Sequence, residues 1–384
     1  MRLLLVAYDF PPIPSPQSLR WAYLARELAL AGHEVHVLAP DTAGYGPGGL
    51  PELPSSVNVH RVFPGPIEWL LSTARRRAMR RAAPGVTGSR QGPVMPGSPG
   101  LNWKGRVVSG GLNLKGRIIE GIKKFAGVFL FPDFRAEWTP WASRELDRLL
   151  ARLRPDVVVT SHEPANSIPL GLRASRRGVP WIADLGDPIL APYTPPRWRR
   201  RANEVERELC EHADLVTVTN ESARVLLSER HGLPVDRCVV ISQGFDARFK
   251  LPSASAACLG ERRPDVLEVL YTGSFYRFRR ADELLRAVVM VPGVRLNVAT
   301  IAAPEAVRDA ASRYPESVRI LGYVPHLDAL CLQRTCDLLV NLDNDDPVQV
   351  PGKLYEYLGA GVSILHVGGD PTGAAAALLE ATGA

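Results

Sequence analysis

The stretch "RLLLVAYDFPPIPSPQSLRWAYLARELALAGHEVHVLAP", residues 2–40, decides the fold. It opens on a continuous apolar run, "RLLLVAY" (2–8), with no alternation of polar and apolar positions. A strand without a polar face is buried on both sides, as in the middle of a parallel sheet. A proline-rich loop follows, "DFPPIPSPQS" (9–18). Next, "LRWAYLARELALAGHEV" (19–35) repeats apolar residues at helical spacing: Leu24, Leu28 and Ala31 share a face, and Gly32 ends the helix. "VHVLAP" (35–40) is a second strand. Two parallel strands need a crossover, and strand–loop–helix–strand is the unit that supplies it.

The pattern recurs along the chain. "PDVVVTS" (155–161) predicts a strand, with a helix over about 165–177, a strand within "GVPWIADLGDP" (178–188) and a long helix over roughly 198–212. Strands "DLVTVT" (214–219) and "CVVISQG" (238–244) close the first series. A second series starts at "LEVLYTG" (267–273). It continues through a helix at 281–290, strands near 294–300, 318–321 and 337–342, a helix at 353–359 and strand "VSILHVG" (362–368). Two such series predict two Rossmann-like, doubly wound α/β domains, 1–245 and 246–384, with a linker near 245–265. A length of 384 residues also favours two cores over one. After the last strand there is room for one helix, about 373–381, so the second domain reads as short at its C-terminus. Residues 84–116 break the alternation: thirteen of these 33 positions are Gly or Pro, which predicts a flexible excursion.

Composition narrows the class. A hydrophobic share of 46% and a mean hydropathy of −0.04 predict a globular chain. No apolar run reaches the ~20 residues of a membrane span. The apolar start meets Asp9 and two prolines, so it reads as a buried strand and not as a leader. Five scattered cysteines without a CxxC predict reduced, packed thiols in the cytoplasm. The net charge of +6 is regional: residues 75–124 carry twelve Lys/Arg against Glu120 alone, a balance of +11. The remainder is therefore −5 (6 minus 11).

Ligands of open α/β sheets bind at the carboxyl ends of strands. No G-x-G-x-x-G follows a leading strand and no Walker loop is present, which argues against dinucleotides and ATP. "YTGSFYRFRRADELL" (271–285) instead presents Arg277, Arg279 and Arg280 before a helix. This is either a diphosphate site or a solvated basic loop. In "VPGKLYEYLGAGVSIL" (350–365), Lys353 falls in the first turn of a helix and Glu356 one turn on. The lysine and the free amides suit an anion, and the carboxylate suits two vicinal hydroxyls such as those of a ribose. The alternative is a surface helix carrying an i,i+3 ion pair.

These segments, with "VPWIADLGDP", "ADLVTVTNESARVLL", "VISQGFD" and "LYTGSFY…RRADELLRA" in this order, resemble the GT-B-fold glycosyltransferases of glycosyltransferase family 4 along nearly the whole chain. The resemblance implies two Rossmann-like domains facing a central cleft. It implies a nucleotide-sugar donor in the second domain, held by Gly273, Ser274, Arg279, Arg280, Lys353, Leu354 and Glu356, with Glu356 on the ribose and Arg280 on the diphosphate. The first domain would take the acceptor through Arg20, His162, Glu163, Asp184 and Asp187. Arg280, Lys353, His162 and Asp187 would carry catalysis. Here His162 and Glu163 end one strand and Asp184 and Asp187 its neighbour. Three positions depart from the family pattern: Val348 stands where a second Glu often touches the donor sugar, "IPSPQS" replaces a Gly-Gly loop, and Asp187 replaces a catalytic-site His.

The expected reaction is transfer of a hexosyl group, with retention, to a glycan or lipid-linked acceptor in cell-envelope polysaccharide or glycolipid synthesis. No cofactor is expected beyond the nucleotide-sugar co-substrate. Asp343, Asp345 and Asp346 are spaced to mimic an Asp-x-Asp metal motif, but the family resembled is metal-independent, so no metal is expected. A related sugar-nucleotide epimerase and a non-catalytic nucleotide-sugar or membrane-binding module are the alternatives. The basic segments 67–81 and 114–131, with Trp69, Phe125 and Phe129, suit an anionic membrane surface. Nucleic acid is not expected, because a Gly/Pro-rich excursion makes a poor stacking platform. The chain is thus expected in the cytoplasm, peripheral at the inner face of the membrane.

Overall fold

The computed structural model describes residues 1–45, 50–82, 121, 123, 127–248, 263–276, 279 and 281–384, with backbone alone over 78–82. The excursion expected at 84–116, most of the basic segment 114–131, the middle of the linker, Arg277 and Arg280 lie outside the described residues. The chain divides into two compact units between Ser242 and Gln243.

The first unit holds a seven-stranded sheet in the order β3-β2-β1-β4-β5-β6-β7, parallel throughout. The strands are β1 (Arg2–Val6), β2 (Glu34–Pro40), β3 (Asn58–Val62), β4 (Val157–His162), β5 (Trp181–Leu185), β6 (Leu215–Val218) and β7 (Cys238–Val240). Alternate residues of β1 serve opposite faces, as the period of two requires. Leu4 and Val6 join Trp138, Leu146, Leu149 and Leu170 on one side. Leu3 and Leu5 meet Trp21 and Ala25 on the other. Helix α1 (Pro16–Leu30) covers the second face, and α3 (Thr139–Leu153) with α4 (Ile168–Ser175) covers the first; α2 (Pro66–Ala82) follows β3. The buried stripe of α1 is centred on Trp21, Ala22 and Ala25, while Leu24 and Leu28 flank it and Ala31 is an exposed cap. Ser15 starts this helix, its hydroxyl accepting from the Ser18 amide at 3.0 Å.

The second unit repeats the plan with five parallel strands in the order β10-β9-β8-β11-β12. They are β8 (Leu267–Thr272), β9 (Val294–Ala299), β10 (Val318–Gly322), β11 (Leu338–Leu342) and β12 (Ile364–Val367). Between Val269, Tyr271, Leu296, Val298 and Val340 and the helices α7 (Asp282–Met290) and α8 (Glu305–Arg313) lies one core. Leu270 and Leu339 face Leu332 and Tyr357 in a smaller one, under α9 (His326–Thr335) and α10 (Gly352–Ala360). A last helix, α11 (Ala374–Thr382), packs Ala375 and Leu379 on Leu354. The expected pair of doubly wound α/β sheets is therefore present. In each, the strand order reverses beside the first strand, between β1 and β4 and between β8 and β11. Loops diverge there, and an open α/β sheet forms its crevice at that point.

Candidate functional site

In the second unit the reversal point gathers the loop after β8, the loop after β11 and the N-terminus of α10. Gly273 leaves β8 at φ +139, a conformation closed to L side chains, and a Cβ there would run into the Lys353 side chain. Lys353 is thus laid across the strand end. Its ammonium makes no hydrogen bond or ion pair among the described residues. Burial pushes it below its ordinary pKa, with Glu356 pulling up and Arg279 pushing down. The first amides of α10 have no side-chain cap, since Pro351 precedes them. A partly buried, unpaired cation beside open helix amides is an anion site.

The i,i+3 Lys353–Glu356 ion pair, one of the two readings of this helix, does not form. Glu356 instead takes a hydrogen bond on each oxygen: from His326 Nε2 to Oε1 at 3.0 Å and from Gln333 Nε2 to Oε2 at 3.3 Å. Burial alone would raise its pKa, but the His326 bond, Lys353 and Gln333 hold it below the usual carboxylate range. Gln333 also reaches Thr272 Oγ1 at 3.2 Å, and the Thr272 amide donates to Tyr357 Oη at 2.9 Å. The carboxylate is tied to β8, α9 and α10 together.

Arg279 bridges two loops, donating to the Ser274 carbonyl at 3.3 Å and to Asn344 Oδ1 at 2.7 Å. Among the described residues its buried Nε has no partner. Leu354 is fully buried under α11. The acidic loop caps itself, Asp346 Oδ1 accepting from the Val348 amide at 3.1 Å. Among the described residues no three His, Cys, Asp or Glu side chains converge as metal ligands.

In the first unit His162 is the buried last residue of β4, and its carbonyl accepts from Gln17 Nε2 at 2.7 Å. Glu163 follows at φ +94, with a cis bond to Pro164. Non-glycine residues at such φ are rare, and they cluster where a chain holds a functional group in place. Asp187 lies in the next loop, partly buried. Asp184 is occupied within the protein: Arg20 approaches both oxygens at 3.0 and 3.3 Å, Trp21 Nε1 donates at 2.9 Å and Thr217 Oγ1 at 2.7 Å. Arg20 spends its other N–H groups on the carbonyls of Ile241 and Ser242, both at 2.9 Å. The pair fastens the end of β7 to β5.

Two groups escape a reading of the sequence. His326 and Gln333 lie seven residues apart on α9, a helix whose scattered apolar residues hide its period; only their i,i+7 spacing places them on one face. Asp9, beyond β1, is buried with Arg135, whose guanidinium grips Asp133 at 2.8 Å and approaches Asp9 at 3.4 Å. The apolar run that ends at Asp9 was the available signal, a charge that β1 delivers to the carboxyl edge of the sheet.

The sequence pattern of Glycosyltransferase Family 4 matches residues 105–249. No curated protein matches the chain in sequence. Among solved structures, TarM is similar with a TM-score of 0.57 at 8% identity, over 95% of this chain and 84% of that one. The spinosyn rhamnosyltransferase SpnG complexed with thymidine diphosphate aligns at 0.45 and 18% identity over 100% and 85%. The UDP-GlcNAc 2-epimerase of Neisseria meningitidis bound to UDP-GlcNAc aligns at 0.48 and 11% over 95% and 82%. At 8% identity the likeness to TarM is one of fold. Two doubly wound parallel sheets give the chain the GT-B fold, and its residues 105–249 carry the pattern of glycosyltransferase family 4.

Proposed function

We propose that the chain transfers a hexosyl group, with retention and without a metal, from a nucleoside diphosphate sugar to a glycan or lipid-linked acceptor. One observation carries this reading: the desolvated ammonium of Lys353, unpaired among the described residues, lies over Gly273 beside the open amides of α10, one turn from a held carboxylate. A diphosphate satisfies the cation and the amides, and a ribose suits the carboxylate. When the bond from sugar to diphosphate breaks, negative charge grows on the leaving group. Lys353 meets that charge, Arg280 is assigned to the same charge from its place in the sequence, and Gly273 and Ser274 let the backbone approach. Arg279 sets the spacing of the two loops.

The first unit takes the acceptor. His162, Glu163 and Asp187, from adjacent strand ends, orient its hydroxyl, with Arg20 and Asp184 fixing the frame behind them. Synthesis of cell-envelope polysaccharide or glycolipid at the inner membrane face is the setting that fits a lipid-linked acceptor. The local balance of +11 over residues 75–124 supplies the attraction to anionic lipid. No helix among the described residues is long and apolar enough to cross a membrane.

Calorimetry with UDP, GDP and ADP tests the donor site. At least one should bind, and Lys353→Met should weaken it about 10- to 150-fold, the value of hydrogen bonds to a charged group. Unchanged affinity in Lys353→Met sinks the assignment. Product analysis with the matching nucleotide-sugar then separates transfer or hydrolysis from epimerisation.

A further inference from the structure

The grip on Glu356 has a geometry of its own. A carboxylate offers about four lone-pair positions on two oxygens. His326 fills one on Oε1 and Gln333 one on Oε2, at 3.0 and 3.3 Å. One position remains on each oxygen, so the free acceptor sites come as a pair, one per oxygen. Gln333 cannot swing away, because it is fully buried and also bound to Thr272 Oγ1 at 3.2 Å. Thr272 in turn is held by Tyr357, from the same helix as Glu356. His326 sits on the same face of α9 two turns earlier, so α9 presents both donors to α10 as a fixed fork.

We propose that His326 and Gln333 are positioning residues that lock Glu356 as a two-point acceptor, and that this lock makes the site select ribonucleoside diphosphates over their 2′-deoxy counterparts. The inference rests on the donor site proposed above. Two vicinal hydroxyls match two preset acceptors. A 2′-deoxyribose leaves one position of this half-buried carboxylate unanswered, and a site built to bond a hydroxyl penalises the analogue that lacks it. A carboxylate free to rotate could turn both lone pairs toward a single hydroxyl, and the penalty would shrink. Selectivity therefore depends on the two donors, which act through Glu356.

The test measures affinities for UDP, GDP and ADP, each beside its 2′-deoxy form, by calorimetry. In the unaltered protein the base that binds should favour ribose by tenfold or more. His326→Leu should bring the ratio within about threefold, while His326→Gln, which keeps an N–H donor, should restore much of it. Gln333→Met gives an independent second variant, and thermal melting of each shows that it is folded. A merely structural role for His326 would lower stability without moving the ratio. A ratio near one in the unaltered protein, or a ratio untouched in folded His326→Leu and Gln333→Met, overturns the inference and leaves the donor site standing. If none of the six nucleotides binds, the donor-site reading fails and the inference with it.

Discussion

Asp9 is a carboxyl whose buried surroundings oppose its usual ionised form. Burial pushes its carboxyl from 3.8 up to about 6, against the pull of Arg135 and a hydrogen bond from Ser15. The folded chain therefore holds a proton between those values that the unfolded chain has lost. Stability from that proton is fully present below pH 3.8 and is lost as pH rises through about 6. The shift corresponds to about 3 kcal/mol. Asp9→Asn should remove this loss. Urea unfolding at pH 4 and pH 7.5 should show the variant gaining on the unaltered protein by up to that amount. A difference that does not change with pH would mean that Asp9 is solvated after all. At this scale the sequence is legible where chemistry and position coincide: Lys353 and Glu356 stand out as charges in an apolar segment. It is silent where partners come from afar. Nothing near Asp184 in sequence announces Arg20, 164 residues away, and the cation that Lys353 presents could be called unpaired only once its neighbours were in place.

Among the elements, the loop from Gly186 to Pro195 owes its course to one carboxylate on α5 (Pro196–His212). Glu206 is fully buried and accepts from the Leu190 amide at 2.9 Å, from Arg230 at 2.5 Å and from His231 Nε2 at 2.9 Å. The last two end α6 (Glu221–His231), so one side chain joins two helices and the loop that carries Asp187. Removing one member of such a group leaves the others buried and unanswered. Glu206→Leu should cost about 3 kcal/mol in denaturant unfolding and open the 186–195 loop to limited proteolysis. A loss under 1 kcal/mol would show that water substitutes for the carboxylate. Continuous apolar runs made β1, β4 and β8 readable, because a doubly covered strand has no polar face to confuse the pattern. Helices α8 and α9 were not readable. Only Val307 is buried on α8, and on α9 the buried set is Cys331, Leu332 and Gln333, three consecutive residues that trace no helical stripe.

For the whole molecule, the proposed chemistry places its positive charge on side chains. Transfer measured in excess EDTA should stay within about twofold of the untreated rate, since Lys353 and its neighbours already meet the diphosphate. A collapse restored by Mg²⁺ would return the acidic loop at 343–346 to the centre of the mechanism. The two-sheet architecture was legible from the alternation of runs, and so was the number of units; the strand order was not, since pairing across long intervals leaves no local trace. That order has a consequence for the nascent chain. β1 is an interior strand of its sheet, with β2 on one side and β4 on the other, where Leu3 pairs with Val157. The first partner follows β1 within about thirty residues, but the second is 154 residues downstream (157 minus 3). At about 5–20 residues per second of synthesis, β1 waits roughly 8–30 s for it with one apolar edge unpaired. The first sheet therefore cannot close vectorially. Until β4 emerges, the "RLLLV" strand carries an open apolar edge, which makes the growing chain most prone to aggregation over that interval.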